Sequence, residues 1–312
     1  MQITILLIQQ IAAMVLMALC GVGMAKARVL DEEKVKSVSA VALYLASPCT
    51  MISAYQTEYT TERFEALLVS FAAAAILLFG NAVITSILSR GKKKITPGEH
   101  ACALYNNSGN LIIPLVDGTL GAGYVFYTTS YMFLQTMMMW THGLILVGNA
   151  KKISLRKILR TPSIIGAVIG IMLFVLRVTL PAPVGKAVSG IGAMLAPLAM
   201  ISVGVMLAET EFRSVFKSRR LYITAALRLL VLPLFSMGIL LVIGHFWKSG
   251  LAHSVLTVSF LCSVGPVSTT ITQLASMHDH PEKGYISSIT AITTVLSAFT
   301  MPVMMLVFQT LL

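Results

Sequence analysis

Residues 101–118 read Ala-Cys-Ala-Leu-Tyr-Asn-Asn-Ser-Gly-Asn-Leu-Ile-Ile-Pro-Leu-Val-Asp-Gly, which places three amides and a proline inside a stretch long enough to cross a bilayer. A second stretch, residues 263–270, reads Ser-Val-Gly-Pro-Val-Ser-Thr-Thr. Proline removes a backbone donor and clashes with the preceding turn, and glycine lowers helix preference further. Because each freed backbone group is costly in hydrocarbon, we expect both helices to break where they line a polar cavity or cross one another.

Around these two breaks the chain is a succession of apolar runs of helix length. Only 11% of the 312 residues are charged, against about 25% in an ordinary soluble domain. We therefore predict an all-α polytopic membrane protein with ten transmembrane helices, at residues 4–25, 37–55, 64–88, 98–118, 122–148, 161–180, 187–208, 220–245, 251–276 and 284–311. These runs leave no room for a soluble catalytic domain, and no basic solvent-facing fold suggests a nucleic-acid partner.

Lysine and arginine are unequally divided between the two sides of this predicted bundle. The connections after runs 1, 3, 5, 7 and 9 hold 18 of the 23 cations, the opposite connections hold four, and Arg228 lies inside a run. Positive residues accumulate on the cytoplasmic side of a membrane, so both termini are expected outside. The net charge of +11 makes anionic membrane lipid the expected partner of the inner face.

Five helices per half is an odd number, so a duplicated unit must insert upside down the second time. Pro48 and Pro197 are 149 residues apart and each precedes Met-Ile-Ser by three residues, while Pro114 and Pro266 are 152 residues apart. These offsets predict two inverted five-helix repeats, residues 1–150 and 151–312. All four prolines are candidate substrate-binding positions, because interrupted segments at matching places in two inverted halves are typical of transporter sites.

The two breaks predict a site for an anion. Half-helices that start after the breaks point unpaired N–H groups and positive dipole ends toward the middle of the membrane. The candidate residues around them are Asn106, Asn107, Gly109, Asn110, Gly265, Ser268, Thr269 and Thr270. The alternative is that the amides and hydroxyls only bridge packed helices.

Two charged residues are further candidates. Arg228 lies about 12 Å inside the eighth run, counted from Arg220 at 1.5 Å per residue, and a guanidinium suits a carboxylate ligand. It is equally consistent with a side chain that reaches the inner interface or holds a loop. Asp117 is the candidate for ion coupling, and the alternative is a cap on the outer half of its helix. The four cysteines show no ligand spacing, so neither a metal nor a cofactor is expected.

The pattern resembles the auxin efflux carrier family, whose bacterial members include malonate and malate permeases. Asn107-x-Gly109-Asn110-x-x-x-Pro114 is similar to its fourth-helix signature, and Pro266 with Ala275 and Asp279 is similar to its ninth-helix stretch. The later residues Thr293, Ser297, Thr300 and Pro302 resemble its tenth helix, and Pro197 with Ile201, Gly204 and Leu207 its seventh.

The resemblance implies two inverted five-helix repeats, as in bile-acid/sodium symporters, with helices 4 and 9 crossing at their prolines. It also implies a scaffold, a mobile transport unit and a homodimer, and it assigns the crossover lining to Asn107, Asn110, Pro114 and Pro266. Ile112 stands where the family often has glycine, which predicts a narrower pocket or a break shifted toward Gly109. The short basic loop at residues 149–160 resembles bacterial members, which places the protein in the inner membrane with periplasmic termini.

The expected function is a secondary transporter for small organic anions, mono- or dicarboxylates, that works by alternating access. One alternative is a cation-coupled symporter or antiporter of the same fold, which calls for paired acidic residues that the runs lack. The remaining candidate classes are a membrane sensor or channel component and an intramembrane enzyme. The chain has no HExxH or Gly-x-Gly-Asp motif, so we expect no enzyme.

Overall fold

The computed structural model describes residues 2–90, 95–148, 160–209 and 218–312, and nearly all of them are helical. The helices are α1 (Gln2–Lys26), α2 (Glu32–Val41, Ala42–Ala46 and Ser47–Ala54), α3 (Thr61–Arg90), α4 (Pro97–Leu104), α5 (Ser108–Ile112 and Ile113–Leu120), α6 (Ala122–Met138, Met139–Gly143 and Leu144–Val147), α7 (Pro162–Val175), α8 (Ala182–Ala193), α9 (Leu195–Glu209), α10 (Arg219–Ala226, Leu227–Val231 and Leu232–Phe246), α11 (Ala252–Val264), α12 (Thr269–Met277) and α13 (Lys283–Leu311).

Six helical spans in these ranges are long and apolar enough to cross a membrane, and one of them comprises α8 together with α9. They are Ile5–Lys26, Glu33–Ala54, Thr61–Arg90, Ala182–Ala208, Arg219–Phe246 and Lys283–Leu311. Helices α7 and α11 are apolar but shorter. The structure therefore confirms an all-α protein with several membrane-spanning helices, while the number ten stays a prediction. Nine of the cations that predict its orientation, and the predicted boundary at residue 150, lie outside the described residues.

Polar side chains at the helix starts fix several of these elements. Asp31 accepts a hydrogen bond from the Lys34 N–H at the start of α2. Thr96 and Glu99 form a reciprocal capping box at the start of α4, where Pro97 takes the first helical position. Each cap satisfies backbone donors that the first turn of a helix leaves free. The start of α4 is therefore well defined by its own sequence.

Three prolines inside helices are accommodated by π turns, whereas Pro302 lies within the uninterrupted α-helix α13. A π turn ends two residues before Pro48, Pro114 and Pro233, at Ala42–Ala46, Ser108–Ile112 and Leu227–Val231 respectively. The pyrrolidine ring of proline clashes with the carbonyl four residues earlier, and in all three cases that carbonyl lies inside the wider π turn. The helix therefore continues through the proline instead of ending there.

Small residues allow two pairs of helices to approach closely. A Cβ added to Gly204 of α9 would collide with the Ala18 carbonyl oxygen of α1, and one added to Gly21 would collide with the Ile201 oxygen. In the same way, Gly166 of α7 leaves only 2.7 Å between an added Cβ and the Pro48 backbone of α2. Such small-residue contacts are how membrane helices gain packing energy.

The helices form two contact groups, and a cavity described below lies where they meet. The first group consists of α1, α2, α7, α8 and α9, in which α1 packs along α9 and α2 packs against α7 and α8. The second group consists of α3–α6 and α10–α13, in which α6 contacts both α3 and α11 and α12 packs on α13. Helix α5 also contacts α1 of the first group. Each group draws helices from both halves of the chain.

Candidate functional site

The two broken segments cross and pair through their backbones. The extended residues between α4 and α5 run antiparallel to those between α11 and α12, with Asn106 opposite Val267. The Asn107 N–H donates to the Pro266 carbonyl at 2.8 Å, and the Ser268 N–H donates to the Tyr105 carbonyl at 3.0 Å. Each break therefore satisfies backbone groups that the other has freed from its helix, as the hydrocarbon interior requires.

The first break does not lie at its proline. Helix α4 ends at Leu104, the extended residues are 105–107, and Pro114 lies inside α5 beyond a π turn. The prediction of a crossing at both prolines is therefore wrong for Pro114, whereas Pro266 lies between α11 and α12. Ile112 is fully buried and packs toward Gly265, where an added Cβ would lie 3.4 Å from its Cδ1 atom.

Arg228 joins the C-terminal ends of α4 and α11. Its side chain is fully buried, and it lies in the π turn of α10. Its Nε donates to the Gly265 carbonyl at 2.9 Å, its Nη1 to the Ala103 and Leu104 carbonyls, and its Nη2 to the Ser263 carbonyl. A cation at two helix C-termini is favoured by both macrodipoles and satisfies carbonyls that have no intrahelical partner. The guanidinium is thus bound to backbone rather than exposed to a ligand.

A cavity of about 50 Å³ lies beside the crossing. Its lining comes from both breaks, from α6 and from the first group, and comprises Leu43, Ser47, Asn106, Asn107, Ser108, Gly109, Met132, Gln135, Thr136, Met139, Trp140, Thr161, Ser163, Ser268 and Thr270. Among these described lining residues none is charged. The starts of α5 and α12 both contribute to the wall, so the positive ends of two helix dipoles meet at one polar but uncharged cavity.

The amide of Asn106 is held in one orientation. Its Nδ2 donates to the Cys262 carbonyl at 2.6 Å and to the Tyr131 hydroxyl at 3.1 Å. A carbonyl only accepts, so the nitrogen must be on that side and the Oδ1 atom must face the other way. Oδ1 is buried and has no hydrogen-bond partner. Asn106 therefore presents a free acceptor atom at the wall of the cavity.

Gln135 of α6 is fixed in the same manner. Its Nε2 donates to the Asn106 carbonyl at 2.8 Å and to the Ser108 Oγ at 2.9 Å, while its Oε1 is buried without a partner. The Nδ2 of Asn107 is a buried donor, also without a partner. Buried polar groups are nearly always satisfied in native proteins. Three such atoms on residues of one cavity wall are typical of a site that a ligand completes.

The predicted site residues are only partly brought together. Those that line the cavity are Asn106, Asn107, Gly109, Ser268 and Thr270. Those that lie near the crossing or in the helices around it, but outside the described lining, are Pro114, Gly265, Pro266, Thr269, Pro48, Pro197 and Arg228. The side chains of Pro197 and Asp117 are exposed at the surface of the monomer and do not face the cavity. The prediction for the Asn110 amide concerns a side chain outside the described part of the structure.

Several lining residues were absent from the predicted set. Gln135 is a lone amide in an otherwise apolar stretch, and that was the available sequence signal. Thr161 and Ser163 come from the start of α7, and the Ser163 hydroxyl is 2.8 Å from the Ser47 hydroxyl of α2. Nothing in the spacing of these residues relates them to the breaks. They complete the wall because the first helix group packs against the crossing.

A larger cavity lies elsewhere in the molecule, and its polar lining residues are charged and exposed instead of neutral and mostly buried. It has a volume of about 370 Å³ and lies between the ends of α1 and α9, next to the undescribed residues 210–217. Its polar residues Lys26, Arg28 and Asp31 are exposed, and Asp31 forms an ion pair of 3.2 Å with Lys34. Exposed ion pairs of this kind hold little energy. The smaller, buried cavity at the crossing is therefore the candidate functional site.

Comparison with known proteins agrees with this architecture. A search of curated proteins finds no match to the chain. A family model described as a membrane transport protein matches residues 6–305, which is nearly the whole chain and includes both breaks, Arg228 and Gln135. The chain therefore belongs to the auxin efflux carrier family of membrane transport proteins.

Proposed function

We propose that this protein is a secondary transporter that moves small organic anions, mono- or dicarboxylates, and binds them in the cavity at the crossing. The observation that carries the proposal is the pair of helix starts at that cavity, together with the unpartnered Nδ2 of buried Asn107. Family membership supports a membrane transporter, and the cavity chemistry supports the substrate class.

The polarity of the cavity favours a negatively charged ligand. Hydroxyls of Ser108, Ser268 and Thr270 stand beside the Asn107 amide, and all four can donate hydrogen bonds. Donors at helix N-termini bind carboxylate and phosphate oxygens without any formal positive charge. The described lining contains no acidic residue that would repel an anion or supply ligands for Na⁺. A carboxylate is the anion best matched to such neutral donors in a small cavity.

The two helix groups suggest how the cavity opens. Leu43, Ser47, Thr161 and Ser163 belong to the first group, and the remaining lining belongs to the second. Movement of one group against the other would expose the cavity to one side of the membrane at a time, which is alternating access. The crossing, held by its own backbone bonds and by Arg228, would move as one unit. We take the first group as the scaffold and the second as the mobile unit.

We also propose that the protein consists of two inverted repeats and forms a homodimer. Helix α1 packs on α9 and α2 packs on α7, the pairing that an inverted duplication of two five-helix units produces. We propose ten helices, with residues 1–150 and 151–312 as the repeats, in a bacterial inner membrane with periplasmic termini. An interior-negative potential, about 2.3 kcal/mol per charge per 100 mV, then favours efflux of an uncoupled anion.

Counterflow in proteoliposomes tests the proposal. Vesicles loaded with small unlabelled mono- and dicarboxylates should exchange them for the radiolabelled forms, because a carrier returns loaded in both directions. Asn107→Ala should lower the exchange rate at least about tenfold, the loss expected for one hydrogen bond to a charged ligand. Asn81→Ala is the matched control, since Asn81 is an equally buried amide that contacts Ser236 and lies outside the cavity lining. No exchange by the wild-type protein would refute the carrier function, whereas normal exchange by Asn107→Ala would refute binding in the cavity at the crossing.

A further inference from the structure

A buried histidine and a half-buried one, His100 and His142, face each other in the second helix group and take no part in the cavity wall. His100 lies in the second turn of α4, and His142 lies in the π turn Met139–Gly143 of α6. Their ring centroids are 5.3 Å apart in an edge-to-face arrangement, and His100 is only 5% exposed. Ionisable side chains inside a membrane protein are costly to keep and mostly serve ion or substrate movement.

The hydrogen bonds of His100 fix its neutral tautomer. Its Nε2 is 3.0 Å from the Thr85 Oγ1. The Thr85 hydroxyl donates to the Asn81 carbonyl at 2.8 Å, so its oxygen is left to accept. The tautomer with a hydrogen on Nε2 of His100 satisfies this contact together with the Thr85–Asn81 hydrogen bond. The Nδ1 lone pair of the same ring is then the position that can take a proton.

His142 is fixed by the same argument through Tyr105. The Tyr105 hydroxyl donates to the Met138 carbonyl at 2.9 Å and is 3.0 Å from the Nδ1 of His142. The tautomer with a hydrogen on Nδ1 of His142 satisfies this contact together with the Tyr105–Met138 hydrogen bond. Nε2 of His142 is left with the lone pair. Each ring thus has one anchored N–H and one basic nitrogen.

Two charged groups on or against α4, Glu99 and Arg228, are engaged elsewhere. No salt bridge joins either ring to a carboxylate in the described ranges. Glu99, the neighbour of His100, binds Arg220 at 2.7 Å and the Tyr285 hydroxyl at 3.0 Å. At the opposite end of α4, Arg228 of α10 is bound to backbone carbonyls.

Two other titratable groups lie on or against α4. Glu282, at the start of α13, lies beside Gly98 at the first turn of α4, and Cys102 is buried on α4 itself. Neither makes a hydrogen bond or ion pair with the rings within the described structure. Apart from the Tyr105 hydroxyl, which contacts His142, the titratable contact that each imidazole makes is therefore with the other imidazole.

The pair is linked directly to the crossing. The Tyr105 hydroxyl contacts Nδ1 of His142. The backbone carbonyl of the same tyrosine accepts the hydrogen bond from the Ser268 N–H that joins the two breaks. Met139 and Trp140, in the same π turn as His142, line the cavity. His142 thus lies within one turn of two residues of the cavity wall.

We propose that His100 and His142 together bind one proton that is carried with each organic anion, so that the protein is a proton-coupled carrier. The inference rests on the transport function proposed above. Only one proton is held, because two imidazolium charges at this separation repel and the pair titrates as a unit. The proton adds to Nδ1 of His100 or Nε2 of His142, and no other bond forms or breaks.

Coupling follows from the charges. An anion in the uncharged cavity stabilises a nearby imidazolium, and by thermodynamic reciprocity the imidazolium strengthens anion binding by the same factor. The loaded carrier then moves one positive and one negative charge together. Transport of a monovalent anion is therefore driven by a pH gradient and is insensitive to membrane potential.

Two variants keep the anchoring hydrogen bonds and remove the proton site. His100→Gln preserves a donor near the Nε2 position for Thr85, and His142→Asn preserves one near the Nδ1 position for Tyr105. His253→Gln is the control, because His253 is exposed on the first turn of α11. Each protein is reconstituted with radiolabelled monocarboxylates under a pH gradient of one unit, with the potential clamped by valinomycin and potassium. Counterflow without a gradient is measured in the same vesicles.

The wild-type protein and His253→Gln should accumulate the monocarboxylate about tenfold per pH unit, the ratio that a one-to-one coupling gives. The double variant His100→Gln/His142→Asn, which has neither proton position, should keep counterflow and lose accumulation. Wild-type counterflow without accumulation would overturn the proton inference and leave the carrier function standing. Absence of wild-type counterflow would instead refute the carrier function itself. Unchanged accumulation in the double variant would exclude this pair as the proton site.

Discussion

Asn106 and Gln135 give the cavity a chemical bias beyond charge. Both amide nitrogens are bound to backbone carbonyls, so both amide oxygens are free acceptors at the wall. A simple carboxylate offers only acceptors and leaves these two oxygens unsatisfied, which costs about 1–3 kcal/mol for each buried group. An anion that also carries a hydroxyl or a protonated second carboxyl satisfies them. The cavity therefore favours hydroxy acids and half-protonated diacids.

We predict that lactate competes better than propionate in the exchange assay, by about tenfold for one additional hydrogen bond. Gln135→Met removes one of the two acceptors and should lower the ratio of lactate to propionate competition. Gln56→Met is the control, because Gln56 accepts from the Leu180 N–H and lies outside the described lining. Equal competition by the two acids with the wild-type protein would contradict this role of the amide oxygens.

We predict that replacement of Arg228 lowers the stability of the protein more than it lowers the affinity for substrate. Its guanidinium satisfies carbonyls at the C-terminal ends of α4 and α11, so Arg228→Met leaves buried acceptors unpaired and should cost about 3–5 kcal/mol. Arg228→Lys should be intermediate, because an ammonium lacks the planar fork. Thermal unfolding in detergent measures both variants, with Arg177→Met, at an exposed cation–π contact with Tyr59, as the control. An unchanged melting temperature in Arg228→Met would show that the guanidinium does not hold the two helix ends together.

Helix contacts at glycine explain why the first group is compact. Gly204→Ala places a methyl group against the Ala18 carbonyl oxygen, so α1 and α9 must separate. Overpacking of this kind costs about 1–3 kcal/mol, which we expect to see as a lowered melting temperature. Gly190→Ala in α8 is the matched control, since an added Cβ there meets nothing within 4 Å. Equal melting temperatures of the two variants would contradict the close α1–α9 contact.

The two breaks show how far sequence reasoning reaches for a helix. The composition of residues 105–110 and of 263–270 indicates two interrupted segments, because amides and Gly-Pro pairs disfavour a lipid-exposed helix, and both segments contain extended residues. The prediction that the helix breaks at Pro114 was wrong. The π turn Ser108–Ile112 relieves the clash of the proline ring, so the helix continues through this residue. A π turn needs no particular residue, so its position could not be predicted from propensity. The same applies to Gln135 and Ser163, which reach the site only through tertiary packing.

At the level of the molecule, the cavity is small for a ligand site, and we therefore interpret this conformation of the two helix groups as a closed one. About 50 Å³ holds little more than a very small ligand, whereas ligand sites usually offer about 300–1,000 Å³. The wall contributed by α2 and α7 belongs to the first group, and the breaks belong to the second. Separation of the groups would enlarge the cavity without disturbing the backbone bonds of the crossing. Substrate entry and group movement are thus the same event in the proposed transport cycle.

The most direct test of the crossing as the substrate site is protection of a single thiol. Ser268→Cys is placed in a variant that lacks Cys20, Cys49, Cys102 and Cys262, and its reaction with a small permeant maleimide is timed in proteoliposomes. Carboxylates that the same vesicles exchange should slow the reaction about tenfold at saturation, while leaving Gly190→Cys unaffected. If exchanged carboxylates leave the rate at position 268 unchanged, the anion does not bind where the two breaks cross.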